Sequence, residues 1–196
     1  MNEQEIIALS LQGDLEPFNQ LVEQYQGQVY SLAFRMLGSR AAADDATQEA
    51  FISAFKNLRS YRGGSFRAWL LRIATNACYD QLRLLQRRPS TSLDAMLEDP
   101  NWQPSSSELS PEEQAENAEL AREIGSAMAT LPPDQRAVLI LVDVEGYSYE
   151  EVAEITSSSM GTVKSRLSRA RARMREFLLT HGEQLPSRFR LESRGM

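Results

Sequence analysis

Apolar residues recur at spacings of three and four along most of this chain, and this period constrains the fold more than any other feature. The longest run, between residues 18 and 37, places on one helical face Phe18, Leu21, Val22, Tyr25, Val29, Leu32, Ala33, Met36 and Leu37. Such a period is typical of amphipathic helices that bury one stripe of side chains. Similar runs follow at 44–58 and at 66–88, so the sequence predicts an all-α fold.

Two of these helices carry more detailed expectations. The helix predicted over 44–58 would hold Asp44 and Asp45 in its first turn, where carboxylates offset the positive end of the helix dipole. The helix predicted over 66–88 would bury a stripe consisting of Leu70, Ile73, Ala74, Ala77 and Leu82. Arg72, Asn76, Asp80 and Arg83 would then lie along another face.

A polar interval divides the chain. Residues 89–111 are rich in proline, serine and acids and show no sustained apolar period, which is typical of a flexible linker. We therefore expect two small helical domains, at 1–88 and 115–180, joined by a flexible acidic linker over 89–114 and followed by a tail over 181–196.

The second domain contains the sequence YSYEEVAEITSSSMGTVKSRLSRARARMR, which has the pattern of a helix-turn-helix. A short helix over 150–155 precedes a serine-rich turn, and a second helix begins near Met160, with Ser158 or Ser159 available as its N-terminal cap. Ser157 occupies the turn position where glycine is usual. The inward face of the second helix would be formed by Val163, Leu167, Ala170, Met174 and Phe177, and the outward face by Lys164, Ser165, Ser168 and Arg169.

The charge distribution points to a polyanionic partner although the formal net charge is -6. Residues 161–175 contain six cations and no acid, and residues 56–88 contain eight cations against Asp80 alone. A solvated helical face normally mixes charges of both signs, so an uncompensated positive ridge favours nucleic-acid binding. In the second helix, residues near its N-terminus would reach base edges, while Arg166, Arg171, Arg173 and Arg175 would reach phosphates.

Aromatic and basic residues interleave around 60–80, a combination suited to single-stranded nucleic acid. Stacking on an aromatic ring contributes about 1–3 kcal/mol per base, which offsets the few kcal/mol that extruding a base costs. Phe66 and Trp69 are expected in the core, because their i,i+3 spacing follows the apolar stripe. Tyr61, beside the Gly63–Gly64 turn, is the better candidate for contact with a base.

Several function classes are excluded or disfavoured. Cys78 and His181 are the only cysteine and histidine, so the chain holds no internal disulfide and no zinc site built from soft ligands. We expect no metal, no cofactor and no catalytic residues, because no phosphate-cradling loop or nucleophile–base set is present. No long apolar run or signal peptide occurs, so we expect a cytoplasmic protein without membrane insertion.

Three blocks together resemble the extracytoplasmic-function (ECF) sigma factors of the bacterial sigma-70 family. They are DDATQEAFISAFKNL with FRAWLLRIATNACYDQLR, then LPPDQRAVLILVDVEGYSYEEVAEI, then MGTVKSRLSRARARMR. The resemblance covers about residues 5–180. It implies a sigma factor, not an enzyme, that binds core RNA polymerase and directs promoter-specific initiation, in a stress or envelope response. Its first domain would bind polymerase and melt and read the minus-ten element, and its second would read the minus-thirty-five element.

The resemblance also assigns residues. The helix that docks on the clamp of the largest polymerase subunit would use Asp45, Gln48, Glu49 and Phe51. The minus-ten surface, which holds a flipped base, would comprise Tyr61, Arg62, Gly63, Gly64, Ser65, Asn76, Tyr79, Asp80 and Arg83. The minus-thirty-five surface would comprise Thr162, Lys164, Ser165, Arg166, Ser168, Arg169, Arg171 and Arg173.

The implied partners are the polymerase clamp, the flap of the second-largest subunit, promoter DNA as duplex and as melted single strand, and an anti-sigma factor that could hold the protein at the inner membrane. The linker would thread toward the active-site and RNA-exit channels, or serve as a plain tether. Two other interpretations stay open at this point. A free-standing helix-turn-helix regulator would be a dimer that binds palindromic sites without polymerase, and an enzyme acting on nucleic acid would need a reactive group that the sequence does not show.

Overall fold

The computed structural model describes residues 2–87 and 110–181, and these residues form only helices and connecting turns. The α-helices in chain order are α1 (Glu3–Ser10), α2 (Leu15–Leu37), α3 (Arg40–Asn57), α4 (Phe66–Arg87), α5 (Pro111–Ala129), α6 (Pro133–Leu139), α7 (Tyr149–Ile155) and α8 (Met160–Thr180). A 3-10 turn (Leu58–Ser60) follows α3, and a π-helical segment (Ile140–Val144) extends α6. The all-α prediction is confirmed. Most of the predicted linker and of the tail lies outside the described residues.

Helices α1, α3 and α4 pack around the long helix α2, whose predicted apolar stripe is buried except for Val22, which is partly buried. The stripe of α4 differs from the prediction. Leu70, Ala74 and Leu82 are buried, but Ile73 and Ala77 are only partly buried, and other core positions are taken by Leu71, Thr75 and Cys78. The buried stripe of α4 is therefore shifted toward the neighbouring positions and is wider than predicted. It is wider because α2 and α3 both pack against this helix.

The predicted start of α3 is wrong. The helix begins at Arg40, and the Ser39 hydroxyl accepts a hydrogen bond from the Ala42 N–H as the N-terminal cap. Asp44 and Asp45 consequently lie beyond the first turn, which contains no acid, and compensation of the helix dipole does not explain them. The small residues of this segment, which include Ala43 and Ala46, are buried against the neighbouring helices.

The fifth helix begins inside the interval predicted as linker. Ser110 and Glu113 form a capping box, in which each side chain binds the backbone N–H of the other residue. The sequence SPEE carries this signal, together with a proline at the start of the helix. Helix α5 then packs against α8, as do α6 and α7, so that α8 is central to the second half.

The two halves of the chain contact each other. Helix α7 packs on α4, and α6 packs on α2 and α4, so that the buried apolar residues of both halves belong to one cluster. Arg136 of α6, 6% exposed, donates from Nη1 to the Met36 carbonyl oxygen of α2 at 2.6 Å and from Nη2 to two carbonyl oxygens of its own half. No helix within the two described ranges combines the length and apolar character needed to cross a membrane.

Candidate nucleic-acid and polymerase interfaces

One face of α3 presents an exposed acidic and polar stripe. Asp45, Gln48 and Glu49 are exposed. Ile52, one further turn along the same helical face, is an apolar residue that is 39% exposed. Phe51 points the other way and lies in the core at 8% exposure. The structure thus brings three of the four predicted polymerase-contacting residues together on one surface. Phe51 supports that surface from beneath, and Ile52 is a member that the charge pattern did not single out.

The loop between α3 and α4 is built by two successive glycines and a tyrosine. Gly63 and Gly64 have φ angles of +90° and +88°, a region that favours glycine, and both are exposed. The Tyr61 hydroxyl donates to the Gly64 carbonyl oxygen at 2.7 Å and closes the loop. Ser65 then caps α4, since its hydroxyl accepts from the Ala68 N–H at 3.1 Å. The backbone between Arg62 and Ser65 is therefore held outward in a fixed shape.

An aromatic cluster anchors this loop to the first half. The Tyr61 ring packs against Phe66 and Trp69 at centroid distances of 5.6 and 5.5 Å. Phe66 and Trp69 are buried at 1% and 7% exposure, which confirms that they are core residues. Tyr61 is partly buried, and this burial raises the pKa of its hydroxyl, so it stays a neutral hydrogen-bond donor.

A cavity of about 310 Å³ opens beside the loop. Its lining includes Ser65 and Arg67 from the start of α4 and the amides Gln24 and Gln28 from α2. Amide side chains offer both donors and acceptors, the pattern that hydrogen-bonds a base edge. The sequence did not predict Gln24 and Gln28 as members of this site. They are about 40 residues before the loop in the chain, and they lie on the exposed face of α2, whereas only the buried face of that helix has a recognisable apolar period.

The outward face of α4 carries the remaining predicted minus-ten residues. Asn76, Asp80 and Arg83 are exposed, and Asp80 accepts from Arg83 at 2.7 Å within the helix. Tyr79 is placed differently, since it is partly buried. Burial raises the pKa of Tyr79 to about 12, while the nearby Arg166 guanidinium of α8 acts in the opposite direction. Arg166 and Asp134, both from the second half of the chain, thus lie near enough to Tyr79 to affect its pKa.

The helix-turn-helix is confirmed as α7, a turn and α8. Ser159 caps α8, with its hydroxyl accepting from the Thr162 N–H at 3.1 Å. Val163, Leu167 and Ala170 are buried on the inward face of α8 as predicted. This packing fixes the rotation of α8 and thereby determines which of its polar side chains face solvent.

The outward face of α8 matches the prediction in part. Lys164, Ser168, Arg169 and Arg173 are exposed, whereas Thr162 and Ser165 are partly buried. The Ser165 hydroxyl donates to the Thr162 carbonyl oxygen at 3.0 Å, and the Lys164 ammonium lies 6.0 Å from the centre of the Tyr149 ring. Lys164, Arg169 and Arg173 thus present their positive charges to solvent on the outward face of α8.

Two arginines predicted to contact phosphates are paired with acids in the structure. Arg166 Nε lies 2.9 Å from Asp134 Oδ2 and its Nη1 donates to Ser158, while Arg171 makes a bidentate pair with Asp143 at 2.9 and 2.6 Å. Hydrogen bonding to Asp143 raises the pKa of Arg171. The expectation that the positive ridge is uncompensated is therefore wrong for these two side chains. The acids come from α6 and the π-helical segment, too far along the chain for a local charge pattern to show them.

The comparisons with known proteins agree with this arrangement. Residues 21–88 match the family model for sigma-70 region 2, and residues 121–174 match the model for sigma-70 region 4. The chain is 36% identical to the ECF RNA polymerase sigma factor SigE of Mycolicibacterium smegmatis, over 88% of this chain and 66% of that protein. It is 37% identical to the ECF RNA polymerase sigma-E factor of Haemophilus influenzae, over 87% of this chain and 92% of that protein.

A solved structure shows the same fold. CnrH, in its complex with the cytosolic domain of CnrY, aligns with a TM-score of 0.64 at 28% identity, covering 90% of this chain and 96% of that one. The helix-turn-helix, the capped loop before α4 and the two family models occur together and in the order that sigma factors have. The chain belongs to the ECF group of the sigma-70 family and is a sigma factor, a protein that binds core RNA polymerase and directs promoter-specific transcription initiation.

Proposed function

We propose that three surfaces divide the work of this sigma factor. The exposed stripe of α3, with Asp45, Gln48, Glu49 and Ile52, docks on the clamp of the largest polymerase subunit. Loop 61–65 and the outward face of α4 hold the melted minus-ten strand, and the exposed face of α8 reads the minus-thirty-five duplex. The observation that carries the proposal is α8, whose buried stripe orients a row of exposed cations within a helix-turn-helix.

On the minus-ten surface, the cavity beside the loop would receive an extruded base. Gln24 and Gln28 would read its edge, and the neutral Tyr61 would support the glycine backbone over it. Asn76 and Arg83 extend the surface along α4, with Arg62 at the exposed loop. Tyr79 is the partly buried member of this surface and would contact the strand through the part of its ring that remains exposed.

On the minus-thirty-five surface, Lys164, Ser168 and Arg169 would reach base edges and Arg173 a phosphate. Thr162 and Ser165 shape the start of the helix, since the Ser165 hydroxyl donates to the Thr162 carbonyl oxygen. Arg166 and Arg171 contribute to DNA binding only by exchanging their carboxylate partners for phosphates.

The domain boundaries and partners complete the proposal. Residues 1–88 act as the first domain, and the second begins with α5 and continues to about residue 180, also contacting the flap of the second-largest subunit. An anti-sigma factor controls the protein, holding it in the cytoplasm at the inner membrane until a stress or envelope signal; CnrH, which has this fold, is bound by a cytosolic domain of CnrY. Sigma factors are initiation factors rather than enzymes, and core polymerase supplies all nucleotidyl transfer.

Run-off transcription with core polymerase and a promoter library tests the proposal. Lys164→Ala with Arg169→Ala should abolish initiation from the selected promoters yet leave core binding intact. Arg122→Ala, an exposed arginine of α5, is the matched control and should behave as wild type. Asp45→Arg with Glu49→Arg should instead abolish core binding. If the α8 variant initiates at normal levels from the same start sites, the assignment of the minus-thirty-five surface is refuted.

A further inference from the structure

Lys164 is exposed on the outward face of α8, where its flexible side chain needs a restraint before it can read a base. The ammonium of a lysine is a compact point charge at the end of a four-carbon stem, whereas the guanidinium of an arginine is rigid and planar. The structure places an aromatic ring beside this ammonium. The Lys164 Nζ atom lies 6.0 Å from the centre of the Tyr149 ring, at the outer edge of the range for a cation–π contact.

Tyr149 is held in place at the start of α7. Ser148 and Glu151 form a capping box around this first turn, with N–H to oxygen distances of 3.0 and 3.2 Å between them. Val152, three residues after Tyr149 and therefore on the same helical face, is buried, and α7 packs on α8. The partly buried Tyr149 ring is thus fixed on the face of α7 that meets α8, beside Lys164.

The hydroxyl of the same tyrosine has a partner further along α8. Arg171 lies seven residues after Lys164, two helical turns along the same side of the helix, and it donates from Nε and Nη2 to the two carboxylate oxygens of Asp143. Hydrogen bonding to Asp143, and to a smaller extent to the Tyr149 hydroxyl, raises the pKa of Arg171. Tyr149 therefore contacts two cations of α8, with its ring at Lys164 and its hydroxyl at Arg171.

We propose that Tyr149 is a positioning residue of the minus-thirty-five surface, which holds the Lys164 ammonium in the geometry that reads a base edge. The inference rests on the proposed function, in which Lys164 reaches a base. A side chain that is ordered before binding loses less freedom when the DNA arrives. A restrained ammonium also discriminates better between bases, because it does not swing to a phosphate that carries no sequence information. Tyr149 thus affects promoter selection through Lys164 rather than through a DNA contact of its own.

A double-mutant cycle on promoter binding by the holoenzyme tests this role. Equilibrium competition compares a duplex carrying the selected minus-thirty-five element with duplexes in which each base pair of that element is replaced in turn. Lys164→Gln should identify the base pair that Lys164 reads, as the position at which discrimination falls. Tyr149→Leu should lower discrimination at the same position about two- to fivefold, the range that an exposed cation–π contact contributes, and leave the other positions unchanged.

The Lys164→Gln background separates positioning from support of the fold. In that background Tyr149→Leu should cause no further loss of discrimination, because the side chain through which Tyr149 acts is gone. Tyr149→Phe is the matched variant, since it keeps the ring, and it should restore discrimination at the Lys164 position. A general structural defect would instead weaken binding to every duplex alike, and circular dichroism records whether each variant folds. Tyr149→Met, which also lacks an aromatic face, replaces Tyr149→Leu if the leucine variant does not fold.

Two results would overturn the inference and leave the proposed function intact. Unchanged discrimination in the Tyr149→Leu protein would show that the ring does not orient the lysine. An equal loss from Tyr149→Leu with and without Lys164→Gln would show that Tyr149 acts independently, by touching DNA itself or by supporting the fold. A Lys164→Gln protein that discriminates like wild type at every base pair is a distinct failure, because it would refute the assignment of Lys164 to the minus-thirty-five surface and the inference with it.

Discussion

The turn of the helix-turn-helix stores conformational strain at Ser157, and replacing this residue with glycine should stabilise the protein. Helix α7 ends in a Schellman motif, with the Ser158 N–H donating to the Ala153 carbonyl oxygen and the Ser157 N–H to that of Glu154. This motif requires a left-handed residue after the cap, and Ser157 has a φ angle of +49°, the one positive value among non-glycine residues in the described ranges. Glycine adopts this region without the steric conflict that a Cβ atom creates.

The expected gain follows from two opposing terms. A left-handed conformation costs a non-glycine residue about 1–2 kcal/mol. Glycine loses more backbone entropy on folding than serine does, and this loss offsets about 0.4–1 kcal/mol of the strain that the substitution relieves. The Ser157 side chain is exposed, so little packing is lost with it. Ser157→Gly should therefore raise the free energy of unfolding by about 0.5–1 kcal/mol, or the melting temperature by a few degrees.

Urea denaturation followed by circular dichroism measures this change, with the slope of the transition expected to stay constant. Ser157→Ala is the matched control, because it removes the hydroxyl but keeps the Cβ atom and the strain, and it should leave stability nearly unchanged. A Ser157→Gly protein no more stable than Ser157→Ala would refute the reasoning, since it would show that the left-handed turn carries no net strain.

Three further predictions concern single side chains. Burial raises the pKa of the Cys78 thiol to about 12, so an aromatic disulfide reagent at pH 8 should leave it unmodified until urea unfolds the chain. A hydrogen bond from the Ser148 N–H, and to a smaller extent the Arg67 guanidinium, lowers the pKa of Glu151 below its value in the unfolded chain. The ionised Glu151 carboxylate therefore stabilises the fold above the unfolded pKa, and this stabilisation is lost as the pH falls through the folded pKa. Glu151→Gln should flatten this acid limb in urea midpoints measured below about pH 4.3. Asp143→Asn should free Arg171 to bind a phosphate. The slope of log binding constant against log salt concentration, measured for promoter binding by the holoenzyme, should then become steeper by about 0.9. An unchanged slope would show that Arg171 contacts no phosphate.

The parts of the fold that sequence predicted are those determined by neighbours in the chain. Val163, Leu167 and Ala170 repeat with the period of a helix, and this period alone predicts which face of α8 is buried. Ser159 precedes that helix as a serine cap commonly does. These signals are local, so they can be read correctly without knowing what the helix packs against.

The errors arose where tertiary contacts decided the outcome. Helix α3 begins at Arg40 because a small-residue segment packs against neighbouring helices, although the sequence around Asp44 has the acids of a helix start. Phe51 is buried for the same reason, and no spacing rule distinguishes it from an exposed docking residue. A family resemblance assigns a role to a position, but only the packing shows whether that side chain or its neighbour Ile52 reaches solvent.

The paired arginines also explain how a chain of net charge -6 presents a DNA-binding helix. Asp134 and Asp143 offset the charges of Arg166 and Arg171, although the Arg171 side chain is still 54% exposed, while Lys164 and Arg169 are exposed on the same helix. Such pairing weakens sequence-independent attraction to phosphates more than it weakens readout of base edges, because the first depends on the number of free cations and the second on geometry.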